Sequence, residues 1–274
     1  MITALISRKG GVGKTTTAVN LSAALAAQGL RVLLVDLDSQ ASASLSLGVE
    51  RANLAPSAAD VLLTTLKAAE AVRATAIPGL DLITASVDLM RAEAEMGVFR
   101  GKETRLKSKL GPLARDYDFI FLDCPSSLSL LPVNAVVAAD TFIVPVVPQF
   151  LAVTGVRNLI AAAQRTAWDS ASRVRPLGLL LTMVDYRIKS TRKTVNDLRT
   201  EHGSLVFAIE IRVNTRLAEA PEAGQTIFQY DQEATGAKAY KLLAGEFLLR
   251  SDPARTLTSE IPAAVAGESS AKVE

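Results

Sequence analysis

Cysteine, histidine and tryptophan each occur once in the 274 residues, as Cys124, His202 and Trp168. One thiol excludes a disulfide framework and offers no zinc ligand set. Neither sign of charge prevails. Thirty Lys and Arg stand against 28 Asp and Glu, a formal net charge of +2, so attraction to a polyanion has to come from a local patch and not from the overall field. Long apolar runs are missing too: those that occur are interrupted by Asp or Pro, which excludes a transmembrane helix. The N-terminus shows no charged region followed by a long apolar stretch, so no signal peptide is expected. His202 falls near an expected helix end without a partner motif and reads as a cap or surface residue. Trp168, in an Ala-rich stretch, reads as packing. Together these absences predict a soluble, cytoplasmic protein.

What is present is a 49% hydrophobic composition, ample for a buried core. Short β-branched or Leu-rich runs alternate with Ala-rich stretches, the pattern of parallel βαβ units. Strands are expected at 2–7, 31–36, 80–85, 119–123, 141–147, 177–182 and 206–211. Several lack period-two alternation, as strands covered on both faces do. Helices are expected at 14–28, 58–66, 89–96, 103–115, 153–172, 190–202, 217–223 and 234–250, with Gly29 placed to stop the first. No internal repeat or compositional break marks a second domain. The prediction is an α/β fold: one doubly wound, mostly parallel sheet with helices on both faces over residues 1–250. A Ser-, Ala-, Pro- and Glu-rich segment, 251–274, is expected to be a flexible tail.

The string Lys9-Gly10-Gly11-Val12-Gly13-Lys14-Thr15-Thr16 directly follows the apolar run Ile2-Thr3-Ala4-Leu5-Ile6-Ser7. A glycine-rich loop between a strand and a helix turns backbone N–H groups toward a nucleotide's phosphates. Lys14 then reaches the β/γ-phosphates and the Thr15 hydroxyl reaches Mg²⁺. The general pattern has Gly six residues before that lysine, where this chain has Arg8, and Lys9 is an additional cation. Two acidic signals accompany the loop. Val32–Asp38 ends a strand with Asp36 and Asp38, and Phe119–Asp123 ends another with a single carboxylate, as a Walker B motif does. In an open parallel sheet ligands bind at the carboxyl ends of the strands, so the three features converge on one edge.

The loop resembles the deviant Walker A loop of the ParA/MinD family of P-loop ATPases, and the similarity covers roughly residues 1–250. Lys9–Asn20 and Val32–Gln40 match the family's opening segments. Asp123-Cys124-Pro125-Ser126-Ser127-Leu128 resembles its Asp-Cys-Pro-Pro-Ser-Leu, with Ser126 in place of the second Pro. Asn134-Ala135, Gly155 and Leu217-Ala218-Glu219-Ala220-Pro221 match later motifs. Ser39, Ser42 and Ser44 depart from the usual Pro, Asn and Thr, and Arg212-Val213-Asn214 stands in place of Pro-Arg-Asn. The resemblance implies ATP and Mg²⁺ as cofactors. Gly10, Gly11, Val12, Gly13 and Lys14 would hold the phosphates and Thr16 the α-phosphate. Thr15 would ligate the metal, with Asp36 and Asp123 acting on its bound waters, and Asp38 would orient or deprotonate the attacking water. Asn214, Leu217, Glu219, Ala220 and Pro221 would lie about the adenine. Lys9 would cross to the partner's γ-phosphate, so that ATP binding produces a homodimer. Cys124 is expected to be a buried structural thiol, since one cysteine is too few for a bridging iron–sulfur cluster.

Among the relatives, a membrane-targeted MinD-like spatial regulator would end in a basic amphipathic helix. Here the segment 239–250 carries an apolar stripe but is followed by a Ser/Ala/Glu tail, which favours packing on the domain. Arg187, Lys189, Arg192 and Lys193 fall within seven positions, and Arg212 and Arg216 follow. The resemblance places DNA-binding arginines at Arg187, Arg192 and Arg216. No helix-turn-helix extension precedes the first strand, so sequence-specific repression is not expected and the short, Soj-like ParA type fits best. The expectation is a cytoplasmic, nucleoid-associated ATPase that binds non-specific DNA as an ATP dimer. It would position a plasmid, chromosome or protein-assembly cargo, and a ParB-like or cargo-adaptor protein would stimulate its hydrolysis. The alternative is the MinD-like regulator.

Overall fold

The strands β1 (Ile2–Leu5), β2 (Val32–Asp36), β3 (Val72–Ala74), β4 (Leu80–Ile83), β5 (Phe119–Asp123), β6 (Thr141–Val146) and β7 (Arg175–Leu181) form one sheet in the order β3-β4-β2-β5-β1-β6-β7. This is seen in a computed structural model that describes residues 1–127, 129–149 and 152–252. β3 pairs antiparallel with β4 and the other pairs are parallel. The helices are α1 (Lys14–Ala26), α2 (Ser42–Ser46), α3 (Ala58–Leu63), α4 (Leu89–Met96), α5 (Arg105–Leu110), α6 (Leu130–Ala138), α7 (Ala152–Asp169), α8 (Lys189–His202), α9 (Thr215–Glu219), α10 (Ile227–Tyr230) and α11 (Thr235–Ser251).

Both faces of the sheet are covered. Leu33 and Val35 of β2 and Ile120 and Leu122 of β5 belong to an apolar cluster with α3 to α8. Their neighbours Val32, Leu34, Phe119 and Phe121 pack with α1, α10 and α11 on the other face. Doubly covered strands have no polar face, which is why the sequence shows none. α1 is held between the sheet and α11, where its alanines allow close approach. Phe247 of α11 meets Phe119 edge-on at 5.1 Å and Phe121 at 5.3 Å. Gly29 takes φ +82° and its N–H bonds Ala26 O at 2.9 Å, ending α1 as expected.

The structure departs from expectation in several places: β3, α2 and α10 were not expected, and the helix expected at 217–223 is α9 followed by a 3-10 turn at Ala220–Ala223. Residues 206–211 do not form a strand: bridges occur only at Val206 and Arg212. The Ala208 and Ile209 amides instead donate to the Glu246 carboxylate of α11 at 2.8 and 3.0 Å. The helix expected at 103–115 is split, α5 being flanked by 3-10 turns at Lys102–Thr104 and Gly111–Arg115, and Pro112 removes a donor the α-helical ladder would need. α6 was not expected. Its Pro132 sits in the first turn, where a missing N–H costs nothing because no intrahelical acceptor exists there. The expected tail beyond Asp252 and Leu128 of the Asp-Cys-Pro motif lie outside the described residues.

Candidate nucleotide-binding site

Between β1 and α1 the chain turns over residues 6–13 into a helix whose first residue is Lys14. Gly11 and Gly13 take φ +67° and +81°. A side chain at Gly13 would find ordinary contact distances of 3.8 Å to Thr182, so the backbone conformation and not the space requires glycine there. The first-turn N–H groups of α1 have no intrahelical acceptors, and the positive end of its dipole faces the loop. The loop is pinned from β7's end by Thr182, whose buried hydroxyl donates to Val12 O at 2.9 Å.

The two lysines are set differently. Lys14 is 6% exposed and its ammonium donates to Ser126 Oγ in the loop after β5. Burial pulls its pKa down, while Asp123, Cys124 and Asp38 act in the opposite direction. Lys9 is exposed and its ammonium donates to Gln149 Oε1 in the loop after β6. The Ser126 hydroxyl in turn donates to Lys9 O at 3.3 Å.

β2 and β5 are neighbours in a register that pairs Asp36 with Asp123, and Leu5 at the end of β1 also pairs with Asp123. The two carboxylates therefore lie at the sheet edge from which the loop springs, both fully buried. Asp36 accepts three hydrogen bonds: Asp38 N at 3.1 Å, Ser44 N at 2.9 Å and Ser44 Oγ at 2.8 Å. Burial still pushes its pKa up to about 6, against the pull of the Ser44 and Asp38 donors. Asp123 is pushed up to about 8, first by burial and then by Asp36, with Thr15 and Lys14 easing its charge. Neither oxygen of Asp123 has a well-formed hydrogen bond. Asp38 is half-buried, its Oδ1 accepting Gln40 N at 3.0 Å. Ala41, the residue before α2, is buried at φ +56°.

An orphaned carboxylate beside a threonine hydroxyl suits a hard divalent cation such as Mg²⁺, which prefers oxygen ligands. Among the described residues no group of three or more His, Cys, Asp and Glu could hold a metal. Cys124 is buried, donates weakly to Leu122 O at 3.7 Å and has its thiol pKa pushed up, chiefly by burial. Such a thiol is structural.

The late motif is built around the start of α9. Asn214 Oδ1 caps it by accepting Leu217 N at 3.1 Å, and its Nδ2 donates to Thr235 Oγ1 at 2.7 Å. Leu217 packs so closely on α11 that a side chain at Gly236 would come within 2.8 Å of it. Glu219 accepts from Arg216 at 2.8 Å and from the Tyr230 hydroxyl at 3.1 Å. Ala220 and Pro221 open a 3-10 turn.

The basic residues fall into two groups. Arg187, Lys189, Arg192 and Lys193 are exposed at the β7–α8 connection and the first turns of α8. Arg187 is engaged by Asp185 at 2.7 Å, holding that carboxyl down at about 2. Arg216 is engaged by Glu219 and, at 3.6 Å, by Asp231. The Arg192 and Arg212 guanidinium groups lie 5.4 and 5.5 Å from the Tyr186 ring centroid. The candidate residues omit Gln149, Thr182 and Tyr186. Nothing in their spacing marks them, since only the sheet order brings β6 and β7 beside the loop.

A family profile described as an AAA domain matches residues 1–173. The chromosome-partitioning ATPase Soj of Thermus thermophilus is 41% identical over 90% of this chain and 95% of its own. The chromosome partitioning protein ParA of Caulobacter vibrioides is 38% identical over 91% of this chain and 94% of its own. Among solved structures, cobyrinic acid a,c-diamide synthase from Mycobacterium smegmatis with bound ATP analog and magnesium superposes with a TM-score of 0.75. It is 34% identical over 91% of this chain and 95% of that one. With the loop, the paired strand-end carboxylates and these relatives together, the chain belongs to the ParA/MinD family of deviant Walker A ATPases, on its ParA/Soj branch.

Proposed function

We propose that this protein is a Mg²⁺-dependent ATPase that dimerises around ATP, binds DNA without sequence preference as a dimer, and positions or segregates a cargo under the control of an adaptor protein of the ParB kind. The observation that carries the reading is the contrast between the two lysines, Lys14 buried inside the phosphate loop and Lys9 exposed on its rim. A buried Lys14, with the N–H groups of Gly10 to Gly13 and the α1 terminus, serves the β/γ-phosphates of its own subunit; Thr16 follows at the α-phosphate. The exposed Lys9 is placed to act across an interface, so that charge neutralisation is completed only in the dimer. ATP then favours dimerisation by its differential contacts in the two states.

Thr15 would hold Mg²⁺, with Asp123 and Asp36 on its water ligands, and the ion would supply charge neutralisation at the β/γ-phosphates. Asp38, half-buried at the end of β2, orients or deprotonates the attacking water. Positioning and electrostatics account for most of phosphoryl-transfer catalysis. Asn214, Leu217, Glu219, Ala220 and Pro221 form the adenine side. Lys189, Arg192 and Lys193, with Arg187 and Arg216 once phosphates displace their acidic partners, supply the DNA surface. The relatives named for chromosome partitioning support the cargo, and the neighbour holding an ATP analog and magnesium supports the cofactors. No helix among the described residues is long and apolar enough to cross a membrane.

Co-sedimentation with non-specific DNA and with anionic liposomes, each with ATP, ADP or no nucleotide, tests the reading. DNA pelleting with ATP alone, lost in Lys9→Ala, is expected. ATP-dependent pelleting with liposomes and none with DNA would overturn it in favour of the membrane-associated regulator.

A further inference from the structure

Ser126 of the loop after β5 hydrogen-bonds the phosphate loop. Its hydroxyl accepts a hydrogen bond from the Lys14 ammonium and donates one to Lys9 O at 3.3 Å. Ser126 stands where the family motif has its second Pro, a residue with no hydroxyl to make this contact. A hydroxyl with one bond accepted and one donated is well satisfied, and Lys14, 6% exposed, is a desolvated cation in need of an oxygen partner. The oxygen it has is neutral. We propose that Ser126 is a positioning residue that stands in for a phosphate oxygen in the nucleotide-free protein. It closes the phosphate loop on itself and is expelled when a nucleoside polyphosphate binds.

The inference rests on the loop being a nucleotide site. Its consequence is direct competition. A phosphate brings negative charge to Lys14 and wins over a hydroxyl, because charge-assisted bonds between two ions exceed those to a neutral acceptor. The displaced hydroxyl also lets go of Lys9 O, so one event frees the loop after β5 and the backbone that carries the interface lysine. Occupancy of the nucleotide site is thereby reported to both segments.

Equilibrium titration of fluorescent ADP and ATP analogues tests this on wild type, Ser126→Ala, Ser126→Thr and Lys14→Ala. Loss of the competing hydroxyl should tighten both nucleotides by about three- to tenfold in Ser126→Ala, the size of one charged hydrogen bond partly replaced by water. Ser126→Thr, which restores a hydroxyl, should return to the wild-type value. Hydrogen exchange over residues 119–127 should rise when wild type binds nucleotide and should already be raised in nucleotide-free Ser126→Ala. Unchanged affinity overturns the proposal. Weaker affinity does so too, by making Ser126 a phosphate ligand instead of a competitor. Wild type that binds no better than Lys14→Ala removes the nucleotide site itself, and this inference with it.

Discussion

Asp123 ends β5 with both carboxylate oxygens buried and without a well-formed hydrogen bond, and Asp36 is its cross-strand neighbour. Burying such a charge without a partner is costly, and the cost shows as the raised pKa of about 8. The sign follows. A carboxyl whose folded value lies above its unfolded one stabilises the fold while protonated, and the contribution is lost as pH rises from about 4 toward 8. Asp123→Asn, which keeps the shape and removes the charge, should therefore raise the melting temperature of the nucleotide-free protein more at pH 8 than at pH 5. It should also abolish the added stabilisation that Mg²⁺ gives in the presence of ATP. Equal gains at both pH values in thermal melts would show that the charge is not what Asp123 contributes. Lys9 gives the second prediction at this scale. Lys9→Ala should bind ATP within about twofold of wild type, since one exposed side chain contributes little to the monomer, yet fail to dimerise in sedimentation velocity with a non-hydrolysable ATP analogue.

At the scale of elements, what was legible depended on how local its cause is. α4 falls at 89–96 as read, because its apolar spacing is set within its own turns. β1, and β2 and β5 with their terminal acids, were legible because strands covered on both faces leave uninterrupted apolar runs. Segment 206–211 reads the same way and is not a strand, because a residue 37 and 38 positions from the amides it binds decides its pairing. Glu246 of α11 takes two of its amides and is itself held by Arg250 at 2.7 Å, and Arg250 also bonds Val206 O at 2.9 Å. No propensity encodes that network. The same limit hid Gln149 and Tyr186 from the candidate site, whose loop, threonine and acids were all legible from motif and strand ends. Glu246→Ala removes the acceptor of one exposed and one partly buried amide and the ion-pair partner of Arg250, which keeps its bond to Val206 O, so the fold should lose roughly 1–2 kcal/mol in urea unfolding. Hydrogen exchange at Ala208 and Ile209 should accelerate well beyond that at neighbouring Phe207, whose N–H bonds Leu179 O at 2.9 Å.

For the whole molecule, a net charge of +2 provides no field to draw DNA, so affinity has to be assembled from patches, and the ion pairs decide which side chains contribute. Arg187 and Arg216 begin in pairs with Asp185, Glu219 and Asp231, whereas Lys189, Arg192 and Lys193 have no ion pair among the described residues. About three phosphate contacts per subunit give a slope of log K against log salt near −3 for a monomer, and joining two patches takes it to about −6. On the proposed function, joining two patches raises the dimer's affinity through avidity, while its steeper slope makes that affinity fall faster as salt rises. Lys193→Ala should reduce the dimer slope by about 2, one contact in each subunit. Arg216→Ala should weaken DNA binding further, because it leaves Glu219 and Asp231 facing the phosphates without their cation. Salt titrations by fluorescence anisotropy with the ATP-bound dimer measure both. Equal slopes with and without ATP would mean that the dimer does not join the patches on one DNA.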